Sequence, residues 1–284
     1  MKNTSVPRLD GTAPLSARFP AWACDVWGVI HNGVRPVEPT IAALTRHRRA
    51  GGLVILLTNA PRPAAAVRAQ LDEIGVAHAA YDAIVSSGDV TRALLAARPG
   101  QKLYHLGPDR DKPLLTGLDA PLTPVEKAEY VLCSGFYDDE NETPEDYRPI
   151  LERMRECNLP MLCANPDIIA GRGGRQIYCG GALARLYEQL GGEVTYAGKP
   201  YAPIYEMAEK RFSELAGRPV GRADMLAIGD GVATDMGGAV AAGIAALFIA
   251  SGIHAEEAGE QEGVDALFRD WPRRPLGWQH VLHW

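Results

Sequence analysis

A chain of 284 residues with 46% hydrophobic and 23% charged side chains has the make-up of one large or two modest folded domains, which excludes disordered and fibrous classes. Its 29 Lys and Arg against 35 Asp and Glu leave a net charge of −6, which argues against a nucleic-acid binder relying on a broad basic surface. A small anionic ligand stays compatible, because it needs only a few local donors.

In chain order, Met1–Pro20 has no continuous apolar stretch, so no secretory signal is expected. The first element is a strand-like run, Ala21–Ile30, ending in the polar turn His31–Gly33. A helix follows over Val37–Ala50, stopped by Gly51-Gly52. Leu53–Leu57 is a short apolar run without alternation, as in a strand buried on both faces. After Thr58-Asn59, Pro61 and Pro63 suit the first turn of a helix that reaches Ile74, with Gly75 as its stop. This alternation predicts βαβ units and a parallel sheet.

The middle of the chain, Ser86–Gly191, has a different texture: proline-rich turns, an acidic patch at Asp138–Glu140 and a helix over Thr143–Cys157. Thr143-Pro144-Glu145-Asp146 gives that helix an N-cap, a first-turn proline and acids at its positive end. The last third returns to the earlier grammar, with strands at Val194–Ala197, Met225–Ile228 and Ala245–Ala250, and helices at Pro203–Ala216 and Val232–Ala242. Met236–Ile253 is uncharged and nearly long enough to span a bilayer, but Gly237, Gly238, Gly243 and Gly252 interrupt it, so no membrane span is expected. The aromatic tail (Trp271, Trp278, Trp284) is expected to pack on the core. The five cysteines (Cys24, Cys133, Cys157, Cys163, Cys179) form no CxxC pair, which fits reduced thiols in a cytoplasmic protein and gives no support for a zinc site. The prediction is therefore an α/β fold. A Rossmann-like parallel-sheet core spans residues 1–85 and 192–284, with an α/β domain inserted over residues 86–191.

Ligands of open parallel sheets bind beyond the carboxyl ends of the strands. The residues following the apolar runs are Asp25, Thr58-Asn59, Lys199, and Asp230 with Asp235. Taken singly, a strand-end Asp serves as a turn or N-cap residue, Thr58 caps the next helix, and Lys199 is a solvated lysine. Taken together they make a phosphate site. Asp25 and Asp230 offer hard oxygen ligands to Mg²⁺, Lys199 and Thr58 offer positive charge and a hydroxyl to phosphoryl oxygens, and Asp25 can serve as a nucleophile.

These residues resemble the four motifs of the haloacid dehalogenase (HAD) superfamily of phosphohydrolases. The motifs are Ala23-Cys24-Asp25-Val26-Trp27-Gly28-Val29, Leu56-Leu57-Thr58-Asn59, Gly198-Lys199-Pro200, and Ile228-Gly229-Asp230-Gly231-Val232-Ala233-Thr234-Asp235. The insert between the second and third motifs, with Asn165-Pro166-Asp167, resembles class IIA, the nitrophenylphosphatase and nucleotide-phosphatase-like group. The resemblance implies a mobile cap that selects a small phosphorylated metabolite, and a homodimer as its partner state. It makes Asp25 the nucleophile and first Mg²⁺ ligand, Asp230 and Asp235 further ligands or support, and Trp27 the donor of a backbone carbonyl to the metal. Thr58, Asn59 and Lys199 bind the phosphoryl group. Arg172 and Arg175 either meet an anionic end of the substrate or are solvated loop arginines.

One position departs from the family pattern. Where such phosphatases carry Asp two residues after the nucleophile, as general acid and base, this chain has Trp27, whose indole N–H does neither job at pH 7. Three readings follow: another group such as His31 replaces that acid and base, only substrates with good leaving groups are hydrolysed, or the chain is a phospholigand-binding pseudoenzyme. His31 equally reads as a residue that only packs.

Overall fold

The computed structural model describes residues 5–172 and 175–284. In chain order its principal elements begin with α1 (Ala13–Arg18), β1 (Ala21–Cys24), α2 (Glu38–Arg49), β2 (Leu53–Thr58), α3 (Ala64–Ile74), β3 (Ala83–Ser86) and α4 (Ser87–Ala96). They continue with β4 (Leu103–Leu106), β5 (Tyr130–Cys133), α5 (Arg148–Glu156), β6 (Met161–Cys163), β7 (Ile169–Arg172), β8 (Arg175–Tyr178), α6 (Gly180–Gln189) and β9 (Val194–Tyr196). The last are α7 (Ala202–Ala216), β10 (Met225–Gly229), α8 (Gly237–Ala242), β11 (Ala245–Ile249), α9 (Gln261–Leu267) and β12 (Gly277–Gln279). The chain forms two compact units, one of Met1–Thr58, Arg68–Val85 and Tyr205–Trp284, the other of Asn59–Val67 and Ser86–Ile204.

The first unit is built on a six-stranded sheet in the order β12-β11-β10-β1-β2-β3. Its pairs from β12 through β2 run parallel. Strands β1, β10 and β11 are buried along their whole length, the condition under which a strand reads as an unbroken apolar run. Helix α2 turns Thr40, Ile41, Ala43, Leu44 and His47 inward at helical spacing. There the His47 ring stacks on Trp22, with ring centres 3.9 Å apart. In the register, Cys24 lies level with Ile228 of β10 and Leu56 of β2, so these three neighbouring strands deliver their next residues to one edge of the sheet.

The second unit has a parallel sheet of its own, ordered β4-β5-β6-β9, and an antiparallel hairpin of β7 and β8. Leu151 and Met154 of α5 and Leu183 and Tyr187 of α6 bury into one apolar cluster with Val131, Cys133, Met161 and Cys163 of the strands. Tyr187 also donates its hydroxyl to the Leu159 carbonyl at 2.6 Å, so its polar end is satisfied within that cluster.

The predicted α/β fold with a parallel core is present, with local corrections. The expected strand Ala21–Ile30 stops at Cys24. Beyond it the chain turns, closed by the Ile30 amide donating to the Val26 carbonyl and by Gly28 at φ +82°. Val26, Val29 and Ile30 are buried all the same, so their apolar character reported depth and not extension. The expected helix Thr143–Cys157 opens with a tight 3₁₀ turn, Pro144–Tyr147, ahead of α5. The expected helix Val232–Ala242 opens with a wide π turn, Val232–Met236, ahead of α8. Strand β12 was not foreseen: Trp278, expected only to pack, extends the sheet and exchanges backbone hydrogen bonds with Pro7 and Leu9. All five cysteines are free thiols. No helix among the described residues is long and apolar enough to cross a membrane, and Met236–Ile253 divides at Gly243 into α8 and β11.

Candidate active site

In the first unit's sheet, successive strands run from β1 to β2 and β3 on one side, while β10, β11 and β12 extend the other side. The strand order thus reverses between β1 and β10, which is where the crevice of such a sheet opens. Asp25 follows β1 directly and still donates its amide to the Ile228 carbonyl at 2.8 Å, so it continues the ladder one residue past the strand. Asp230 follows β10, and Asp235 lies on the π turn after it. Their ligand oxygens all lie within 4.8 Å of one another, although the three residues are only 7, 5 and 5% exposed.

Glycines and backbone amides shape this cluster. A Cβ at Gly28 or at Gly252 would overlap the Asp230 carboxylate, and one at Gly229 would overlap Asp235. The Ile253 amide donates to Asp230 Oδ2 at 2.7 Å, and the Gly231 amide donates to Asp235 Oδ2 at 3.0 Å. The π turn arises because the Asp235 and Met236 amides both donate to the Gly231 carbonyl, which sets Asp235 against the start of its own turn. Three buried carboxylates this close repel one another unless a cation or a proton intervenes. Oxygen-only, acidic and compact, the set suits a hard divalent ion. Thr58, the last residue of β2, is buried at the same edge of the sheet.

Trp27 lies between Asp25 and the Gly28 backbone that backs Asp230. Its ring rests on Gly33, where a Cβ would stand 2.9 Å from the indole, and it meets the His31 ring edge-on at 5.0 Å. His31 Nδ1 accepts the Gly33 amide at 2.9 Å, and the His31 carbonyl accepts the Gly28 amide. Burial pushes the His31 pKa down to about 4, so the ring is neutral at pH 7 with its proton on Nε2.

The second unit holds the other expected residues. Asn59 is buried and donates from Nδ2 to Asp167 Oδ1 at 2.8 Å and to the Lys199 carbonyl at 3.0 Å. Its Oδ1 accepts the Lys199 amide at 2.7 Å. Both amide protons are engaged, so Asn59 positions the Lys199 backbone where a phosphoryl donor was expected. Lys199 follows β9 and is buried as well, and a Cβ at the preceding Gly198 would overlap Asn59. Arg172 ends β7 opposite Arg175, and the side chains of both fall outside the described residues. Sequence reading overlooked the roles of Gly28, Gly252 and the Ile253 amide. Gly28 was visible in the first motif, but nothing near Gly252 marked it as the bed of a carboxylate.

Known proteins bear on this arrangement. Residues 22–120 match the family model Haloacid dehalogenase-like hydrolase, and residues 196–270 match a second, HAD-hydrolase-like one. A crystal structure of a hydrolase of the haloacid dehalogenase-like family from Brucella suis 1330 shares 46% sequence identity over 97% of this chain and 99% of that one, with a TM-score of 0.86. The chain belongs to the haloacid dehalogenase-like hydrolases. Two less similar solved structures share its fold. The p-nitrophenyl phosphatase from Archaeoglobus fulgidus has 19% identity and a TM-score of 0.72 over 93% of this chain and 96% of that one. The glycerol phosphate phosphatase from Mycobacterium tuberculosis, solved in complex with calcium, has 20% identity and a TM-score of 0.68 over 94% of this chain and 72% of that one. A comparison with curated proteins gives no match.

Proposed function

We propose that this HAD-like hydrolase is a Mg²⁺-dependent phosphatase of a small phosphorylated metabolite, acting through an aspartyl-phosphate on Asp25. The observation that carries the reading is the buried group of Asp25, Asp230 and Asp235 at the reversal of strand order. Asp230, Asp235 and one oxygen of Asp25 would hold the ion, joined by the Trp27 backbone carbonyl. When bound, Mg²⁺ neutralises charge on the phosphoryl oxygens and orients the group.

The chain's own residues do the rest. The other Asp25 oxygen attacks phosphorus, Thr58 donates its hydroxyl to a phosphoryl oxygen, and Lys199 supplies positive charge to the same group. Asn59 sets the Lys199 backbone from within the second unit. We assign the role of cap to the second unit, which contains the expected insert 86–191 and runs on through β9 to Ile204, since β9 pairs with β6 and not with the six-stranded sheet, and the role of core to the first unit. The two phosphatases of like fold support the substrate class, and the calcium complex of one of them supports a divalent ion.

The test is phosphate release from p-nitrophenyl phosphate with Mg²⁺ or with a chelator. Release is expected only with the ion, and Asp25→Asn is expected to lose at least about 10⁴-fold in rate with an unchanged circular dichroism spectrum. Equal release by wild type and Asp25→Asn overturns the assignment of the nucleophile. Binding of phosphate with no release in any condition favours a phospholigand-binding protein.

A further inference from the structure

Resting on the reading above, we infer that Trp27 restricts this site to activated phosphates, meaning acyl phosphates and aryl esters whose leaving group departs as a stable anion. The turn from Asp25 to Gly33 passes directly beside the carboxylate cluster, since the Gly28 backbone lies against Asp230. Along that turn the side chains are Val26, Trp27, Val29, Ile30, His31 and Asn32. His31 is the one imidazole among them, and its Nδ1 is engaged by the Gly33 amide while its ring supports the indole edge-on. The indole itself is held between that ring and the bare Cα of Gly33, which sits at φ +91° and leaves the room an added Cβ would fill. Isolated backbone bridges from Trp27 to His31 and from His31 to Pro36 tie the turn into a small closed hairpin. The turn that follows the nucleophile thus carries a fixed indole and no carboxylic acid.

The consequence follows from the bonds that change. An Asp25 oxygen bonds to phosphorus, and the bond from phosphorus to the leaving oxygen breaks with its electron pair staying on that oxygen. With no proton supplied, the leaving group departs as an anion. A carboxylate, with a conjugate acid near pKa ~4, or a phenolate, near ~10, can do so. An alkoxide, about as strong a base as hydroxide, cannot do so readily. In the second step water attacks phosphorus and the Asp25 carboxylate is itself the leaving group, again needing no acid. The protons of that water remain with the inorganic phosphate. The sum is phosphate ester dianion plus water giving the leaving anion plus dihydrogen phosphate, balanced in atoms and charge.

The experiment compares acetyl phosphate, p-nitrophenyl phosphate, phenyl phosphate and ethyl phosphate on the full chain with Mg²⁺. It reads kcat/KM and, by intact mass after acid quench, the phosphoryl adduct on the protein. A steady fall of kcat/KM with rising leaving-group pKa is expected, reaching at least about 10²–10⁴-fold at ethyl phosphate, the contribution a general acid makes. The adduct is expected from the first two compounds and absent with the last. Trp27→Asp should raise the ethyl-to-acetyl ratio by a similar factor, whereas Trp27→Phe should keep the steep series whatever its absolute rate. A flat series in the wild type, or an ethyl-to-acetyl ratio that Trp27→Asp leaves unmoved while Trp27→Phe folds, overturns the inference. No phosphate release and no adduct from any of the four would overturn the phosphatase reading and this inference with it.

Discussion

Asn59 does with one side chain what an adjoining strand does with its backbone: it accepts the amide and donates to the carbonyl of Lys199, and its second amide proton holds Asp167. Truncation would strand two buried backbone groups at once. Asn59→Ala is therefore expected to destabilise the protein by about 1–3 kcal/mol in urea unfolding. It should also raise KM for p-nitrophenyl phosphate more than it lowers kcat, since Lys199 keeps its charge but loses its fixed origin. Asn59 could be found from sequence because it sits in a motif, but its job could not. An amide beside a threonine gives no sign of which backbone it will pair with, as its partner lies far along the chain. Trp27 is the opposite case: the sequence alone shows an indole where the family pattern has an acid, and the structure adds how that indole is held, against Gly33 and edge-on to His31.

Turns, more than strands, decide the shape of this site. Gly28 combines φ +82° with a Cα pressed against the Asp230 carboxylate, so any side chain there is strained in backbone and in space. Gly28→Ala is expected to displace that carboxylate and weaken ion binding. Its melting temperature should then rise less on adding Mg²⁺ than that of the wild type, for which an ion at 100 times its Kd adds about 2.7 kcal/mol. An equal rise in both would separate Gly28 from the ion site. Strands β2, β10 and β11 were legible because burial on both faces leaves an unbroken apolar run. The end of β1 was not legible, because Val26, Val29 and Ile30 stay buried after the backbone has left the sheet. Hydrophobicity marks depth, and only the glycine at 28 marks the turn. Strand β12 was missed for a related reason. Three residues are too few for a pattern, and its identity depends on the edge it joins.

At the scale of the molecule, buried histidines tie stability to pH. His47 is fully buried against Trp22, with Nδ1 and the Ser16 hydroxyl 2.7 Å apart, and burial pushes its pKa down to about 4 from an ordinary 6.5. The unfolded chain then takes up a proton below pH 6.5 that the folded protein refuses until about 4. The stabilisation is complete above pH 6.5 and is lost as pH falls through that window. His47 alone is expected to account for about 1–3 kcal/mol, and His31 acts in the same direction. Urea unfolding at pH 7, 5.5 and 4.5 reads this directly, and a pH-independent midpoint would contradict it.

The pairing of β1 with β10 brings Asp25 and Asp230 together across about 200 residues of chain. In the unfolded protein those carboxylates belong to a very wide loop, and closing it sacrifices chain entropy before any strand contact compensates. An ion held between them would therefore act as a clip on a loop of about 200 residues. Its occupancy is expected to slow unfolding, so the proposed catalytic centre would also fasten the first strand of the core to the last third of the chain.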